Sequence, residues 1–437
     1  MITLLSFILV VGVLILFHEF GHFITARLVG INVLKFSIGF GPKIFSIKGK
    51  KTEYVLSAIP LGGYIKMAGE QALLKDEPIK DGDYLSKAPW KRILVVFGGP
   101  FMNLVLAFLC IFSVYVIGYN EYYFSPVIGS VIDKVKVDSA EVSSPATVAG
   151  LKPEDRIISV NGQKIEAWEE LQNIVFNSIG EELSFKISRN SSVVDIKVKP
   201  IYDKERNVNI VGVYPKQDNV VSVVIPGSQA DRAGLKKGDI ILFVGTTEVK
   251  TFREIDEEFK KLDKVAKFTV DRGGNKVLIK IDKNGISDIG SLGFITGMKE
   301  RFVRKLPVVA LRYGINDTGK ITFLTIKGIA SLITGKISPK EALGGPLTIA
   351  DFAGKSAKSG WNSLVNYIAL LSIMLFILNL LPIPMLDGGN IVINIIEALK
   401  GSLVSLKFRM IYQQVGFFIV ISLVALALVM DFIRYVF

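Results

Sequence analysis

His18-Glu19-Phe20-Gly21-His22 places residue types and spacing that can do metal chemistry in one short run. On a helix, positions four apart differ by about 40° at about 100° per residue, so both imidazoles leave one face and can grip one ion. Neutral imidazole is a good zinc ligand, and a carboxylate beside the first His can take a proton from a water at the metal. In a soluble protein such a run can arise by chance. Here residues 1–26 carry no charge except Glu19, and the two histidines are the only ones in the chain. Ionisable groups at membrane depth are costly and mark function, which favours a metal site holding one Zn2+.

A catalytic zinc normally has three protein ligands plus a water. With no third His, the remaining ligand is a carboxylate or Cys110, the sole cysteine. Asp387 is the best placed. It follows the uncharged stretch 359–386 in Asn379-Leu380-Leu381-Pro382-Ile383-Pro384-Met385-Leu386-Asp387-Gly388-Gly389. Pro382 and Pro384 break a helix there and give the Asp a loop that can bend toward a metal. Glu397 and Asp431 are weaker candidates because they lie near polar flanks.

These residues need elements to hold them. The 437 residues are 50% hydrophobic and 21% charged, too apolar for a soluble globule and too charged for a bare helical bundle. That composition predicts a multi-pass α-helical membrane protein carrying soluble modules. Four stretches, residues 1–26, 93–120, 359–386 and 410–430, are long enough to cross the hydrocarbon layer. A cleavable signal peptide fits the first of them poorly, since residues 1–17 contain no Lys or Arg. One cysteine excludes an intrachain disulfide framework.

The net charge of +12 raises nucleic acid as a partner until the charge is located. Residues 121–300 hold 26 Lys/Arg against 27 Asp/Glu, whereas residues 23–92 hold 12 against 6 and residues 301–437 hold 14 against 6. The excess therefore borders the apolar stretches, which suits the anionic lipid bilayer and argues against nucleic acid. The basic loop between the first two spans places residues 27–92 in the cytoplasm and residues 121–358 on the other side.

The middle of the chain repeats. Ala149-Gly150-Leu151-Lys152-Pro153-Glu154-Asp155 returns as Ala233-Gly234-Leu235-Lys236-Lys237-Gly238-Asp239, and the register continues with Ile157 on Ile241 and Trp168 on Phe252. Each copy reads as a short helix ending at Gly, a turn with Asp, an apolar strand, an amphipathic helix and two alternating strands. The pattern resembles bacterial PDZ domains, whose sheet edge and neighbouring helix can take an extended peptide tail. The expected divisions are a membrane domain over 1–120, PDZ-like domains over 121–205 and 206–290, an amphipathic or re-entrant membrane-surface segment over 291–358, and a second membrane domain over 359–437.

Taken together, HEFGH, Phe36-Ser37-Ile38-Gly39-Phe40-Gly41, Ile59-Pro60-Leu61-Gly62-Gly63-Tyr64-Ile65-Lys66-Met67, the tandem repeats and the Asn379–Gly389 motif resemble the site-2 protease family across essentially the whole chain. The resemblance implies a zinc intramembrane metalloprotease of the bacterial inner membrane. His18, His22 and Asp387 would be its ligands, Glu19 its catalytic base, and Asn379 a residue holding the substrate backbone. Its substrates would be single-span membrane proteins already shortened by a first cleavage, with the PDZ-like pair excluding bulky exported domains. Thr52-Glu53-Tyr54-Val55-Leu56-Ser57-Ala58, following the Lys48-Gly49-Lys50 turn, reads as an edge strand of a membrane-associated β-hairpin, and the family supports its use in capturing an unwound substrate. Many relatives have His after Leu-Asp-Gly-Gly, where this chain has Asn390. Two alternatives are a membrane metalloprotease with a cytosolic site and a zinc-binding PDZ scaffold or transporter without proteolysis. The apolar run before His18 speaks against the first, and Glu19 beside His18 against the second.

Overall fold

A computed structural model describes residues 1–436 apart from 71, 73–76, 139, 179, 205, 207, 284–285, 287 and 339–343. The chain sorts into two units, one made of Met1–Tyr119 with Arg304–Phe437 and the other of Asn120–Val303.

The first unit contains α1 (Ile2–Leu28), β1 (Val33–Lys48), β2 (Glu53–Met67), α2 (Pro89–Ile117), α3 (Pro307–Ile333), α4 (Pro346–Lys358), α5 (Trp361–Asn379), α6 (Asp387–Lys400) and α7 (Leu406–Val436). Four of these, α1, α2, α5 and α7, are long and apolar enough to cross a bilayer. Pro89 opens α2 at a position where its missing N–H costs nothing. The third apolar stretch does not stay helical to residue 386. It stops at Asn379, because Pro382 and Pro384 disfavour helical backbone in the residues before them and cannot donate to the ladder. The chain then turns through Met385 at φ +73° and starts α6 at Asp387.

α1 and α2 cross with their backbones nearly touching. A Cβ on Gly21 would lie 2.1 Å from the Gly98 carbonyl oxygen, and one on Gly99 would lie 2.2 Å from His22 Nε2. Only glycine permits that approach, so Gly98-Gly99-Pro100 serves tight helix packing. The same logic holds at the α5–α6 loop, where a Cβ on Gly388 would meet the Leu381 oxygen at 2.1 Å and one on Gly416 of α7 the Pro384 oxygen at 2.3 Å.

β1 and β2 form an antiparallel hairpin that folds back on itself. Phe36 pairs with both Tyr54 and Ile65, and Ser37 with both Val55 and Tyr64, while Ser46 also pairs with Val55 and Ile47 with Tyr54. Residues 53–57 thus lie between two strand segments, 35–38 and 43–48. The expected edge strand over 52–58 is interior, with its ladder groups turned to neighbours on both sides. Thr52 is also engaged, its hydroxyl donating to the Val33 oxygen at 2.7 Å and accepting from Arg27 at 3.1 Å. The two outer segments of this hairpin, Lys43–Lys48 and Gly63–Met67, each have a strand partner on one side only.

In the second unit the repeat is visible in three dimensions. The order Ser192–Val198, Leu183–Arg189, Arg156–Val160, Gln163–Lys164 in one four-stranded sheet is matched by Asn275–Asp282, Val265–Arg272, Ile240–Val244, Thr247–Glu248 in the other. Each copy closes its own core, around Ile157, Phe185 and Ile187 in the first and Ile241, Phe259 and Phe268 in the second. Each also has the same fastening. Asp155, fully buried, takes two bonds from Arg189 at 2.7 Å while Arg189 reaches the Gly150 oxygen at 2.8 Å. Asp239, Arg272 and Gly234 repeat those three distances. Strand pairing carries the first copy to Pro215, which returns to Ile128, and the second to Thr296, which returns to Val221. Both lie beyond the divisions expected at 205 and 290. Of the basic stretch 301–358, the described residues from Pro307 onward form chiefly α3 and α4.

Candidate metal centre

α1 brings His18 and His22 to the side that faces the start of α6, where Asp387 is the first helical residue. His18 Nε2 lies 3.2 Å from Asp387 Oδ2, His22 Nε2 lies 3.5 Å from Asp387 Oδ1, and the two Nε2 atoms are 3.2 Å apart. In a tetrahedral zinc site the ligand atoms sit at about 2.0–2.2 Å from the metal, which puts them about 3.3–3.6 Å from one another. The separations lie close to that edge, with the two to Asp387 running to different carboxylate oxygens, so these residues fit a zinc ion. Among the described residues, this is the one group of three or more such side chains close enough to hold a metal.

The outer nitrogens of the two rings are engaged as well. His22 Nδ1 donates to the Val95 backbone oxygen at 2.9 Å, which leaves Nε2 with its lone pair turned toward Asp387. His18 Nδ1 lies 3.2 Å from the Asn103 side-chain amide of α2. Glu19 sits between the histidine pair and β2, where the Ile65 backbone N–H bonds its carboxylate. All four side chains open on one cavity of about 420 Å³, walled on the other side by Tyr64, Asn390 and Arg409.

The other proposed third ligands have different work. Cys110 is half-buried on α2. Glu397 is buried and bonded to Arg92, to Arg409 at 3.1 Å and to the Val404 N–H at 3.0 Å, tying α2, α6 and α7 together. Asp431 is fully buried and accepts the Gly345 and Leu347 N–H groups at 2.9 and 2.8 Å, capping the start of α4 from the last helix. Asn379 ends α5 half-buried and is not among the residues that line the cavity. Thr52 to Ala58 do not line it either, whereas Gly63, Tyr64 and Ile65 do. Asn103 and Arg409 were not among the sequence candidates; the signal available for both was a polar residue inside or beside an apolar span.

The profile of Peptidase family M50 matches residues 6–423. The chain is 32% identical, over 98% of both lengths, to a protein of Haemophilus influenzae named Regulator of sigma E protease. It is 33% identical to proteins named as zinc metalloproteases from Pasteurella multocida, over 98% of both chains, and Treponema pallidum, over 95% of this chain and 96% of that one. With a full-length family match and relatives of this similarity, the chain belongs to peptidase family M50, and it is a zinc metalloprotease with membrane helices.

Proposed function

We propose that the chain is an intramembrane endopeptidase that cleaves single-span membrane proteins in regulated intramembrane proteolysis. Its substrates would be stubs left by an earlier cut, such as a truncated anti-sigma factor or a signal-peptide remnant. The observation that carries this reading is the His18, His22 and Asp387 triangle, with zinc-site edge lengths, set beside Glu19 on a 27-residue apolar helix.

Zinc bound there would polarise the scissile carbonyl and make a nearby water acidic. Glu19 then acts as the base: its carboxylate takes the proton from the attacking water and passes it to the leaving amine nitrogen. A substrate helix hides its peptide bonds in its own ladder, so it must unwind first. The unwound strand would add to the exposed side of Gly63–Met67, which borders the cavity, and not to the interior residues 53–57. Asn379 would support that strand from the end of α5. In this reading residues 27–92 face the cytoplasm and the repeats, PDZ-like in order and sequence, lie across the membrane and limit the size of what enters.

The test is cleavage of a truncated single-span substrate by purified protein carrying Glu19→Gln. Loss of cleavage with zinc retained is expected; an undiminished cut would reject the assignment.

A further inference from the structure

Between Glu19 and Glu53 the chain carries six Lys/Arg and no Asp or Glu. Three of the six, Arg27, Lys50 and Lys51, line one cavity of about 580 Å³ between the end of α1 and the β1–β2 turn. No carboxylate lines that cavity or pairs with those three cations among the described residues, and the first acid after them, Glu53, is taken by Lys43 at 2.5 Å. Like charges gathered without a counter-ion repel one another, so the cavity favours an anion. Arg27 is already positioned for one. Its guanidinium stacks 4.8 Å from the centre of the Phe23 ring and uses one N–H on the Thr52 hydroxyl at 3.1 Å, which is itself tied to the Val33 oxygen at 2.7 Å. That leaves most of its five N–H groups for a ligand. The Gly49 N–H closes the turn on the Thr52 oxygen at 2.9 Å, with Lys50 and Lys51 at its tip.

The place of the cavity names the class of anion. Arg27 stands in the last turn of α1, which is long and apolar enough to cross a bilayer, so its charge reaches the headgroup layer. Apolar side chains border the cavity: Leu28, next to Arg27, is 80% exposed, and Ile47, which pairs with Tyr54 of the cavity wall, is 56% exposed. A free phosphate gains nothing from such a border. A phospholipid uses both parts, cations for its phosphate and apolar surface for its acyl chains. We propose that this cavity binds the phosphate of an anionic phospholipid, with the Arg27 fork holding the phosphate oxygens and Lys50 and Lys51 neutralising it from the turn. The bound lipid would fasten the hairpin turn to the membrane at the foot of α1. The site is separate from the metal centre, since the two cavities share no residue, and it does not depend on the proteolytic reading.

The test titrates the full chain, purified in a neutral detergent, with phosphatidylglycerol or with phosphatidylcholine of the same acyl chains, and counts bound lipid by native mass spectrometry. Inorganic phosphate is titrated in a third arm. Phosphatidylglycerol should bind more tightly than either. A basic group beside an anionic lipid is worth about fivefold in binding, so Lys50→Gln with Lys51→Gln should weaken phosphatidylglycerol binding by about 25-fold. Lys43→Gln with Lys48→Gln removes the same charge from the same hairpin outside the cavity and should leave binding near the parent's. Arg27→Lys keeps the charge without the fork and should fall between the two. All four lysines are exposed, so both double variants should keep the parent's melting temperature and zinc content, and they decide the question even if Arg27→Lys folds poorly. Equal weakening by the two double variants, equal binding of the two lipids, or inorganic phosphate bound as tightly as phosphatidylglycerol would overturn the proposal; the last result would mark a site for a free anion in place of a lipid headgroup.

Discussion

Gly99→Ala adds a single methyl group to α2 and leaves every proposed ligand and base in place. The added Cβ would sit 2.2 Å from His22 Nε2, 2.5 Å from its Cε1 and 2.7 Å from its Cδ2. Ordinary contact begins near 3.4 Å, so the ring or the helix must move by at least 3.4 − 2.2 = 1.2 Å. The ring is pinned on its far side by the Val95 oxygen at 2.9 Å, and the Gly21–Gly98 backbone contact blocks relief by closer approach of the helices elsewhere. Metal–ligand distances tolerate about 0.2 Å. A displacement about six times that should cost at least 10–100-fold in zinc affinity, the range seen when a ligand loses its support, and about 100-fold or more in turnover for a misplacement near 1 Å. Zinc content after dialysis against a weak chelator, read beside cleavage of a single-span substrate, measures both. A Gly99→Ala protein with parental zinc affinity and parental cleavage would refute the claim that this crossing seats His22.

Asp387→Asn should abolish zinc retention, read by metal analysis, while leaving helix content by circular dichroism close to the parent. Glu397→Ala strands Arg92, 2% exposed, without its carboxylate and should lower unfolding free energy by about 3–5 kcal/mol in reversible denaturation; Glu397→Met paired with Arg92→Met should recover much of it. A photo-crosslinker at Tyr64 should capture bound substrate, whereas one at Val55 should not; the reverse result would restore the interior strand as the capture site. Burial pushes the Tyr84 phenol up to about 12 from an ordinary value of 10.0. A group raised in the folded state stabilises fully below its unfolded pKa, so this contribution is complete below pH 10 and is lost as pH rises through about 12. Tyr84→Phe should flatten alkaline denaturation across that window.

The zinc-metalloprotease class was readable in advance because it rests on residue types. Two histidines at helical spacing and a carboxylate behind two prolines declare themselves without coordinates. Which atoms stand behind the ligands did not, since helical spacing alone does not say which face of α2 meets α1; that depends on the glycines at the crossing. The strand over 52–58 was correctly expected as a strand and misplaced within its sheet. Phe36 and Ser37 each pair on both sides, and nothing in the alternation of residues 52–58 announces a second partner. The repeat was legible from its Ala-Gly-Leu and Asp landmarks. Its outer limits were not, because Val213–Pro215 pairs with a strand some 80 residues earlier and such a long-range contact leaves no local mark. The third span overran its true end for a simpler reason: apolarity continues past Asn379, but prolines stop the helix.

The duplicated Asp–Arg clasp has a consequence for how this protein tolerates damage. Asp155 with Arg189 and Asp239 with Arg272 each knit a turn to a strand inside a separate hydrophobic core, so removing one clasp leaves the other's partners in place. Variants that alter one core therefore leave the packing residues of its twin unchanged. Divergence between the two surfaces is thereby made cheap for evolution, with the internal scaffold held constant beneath it.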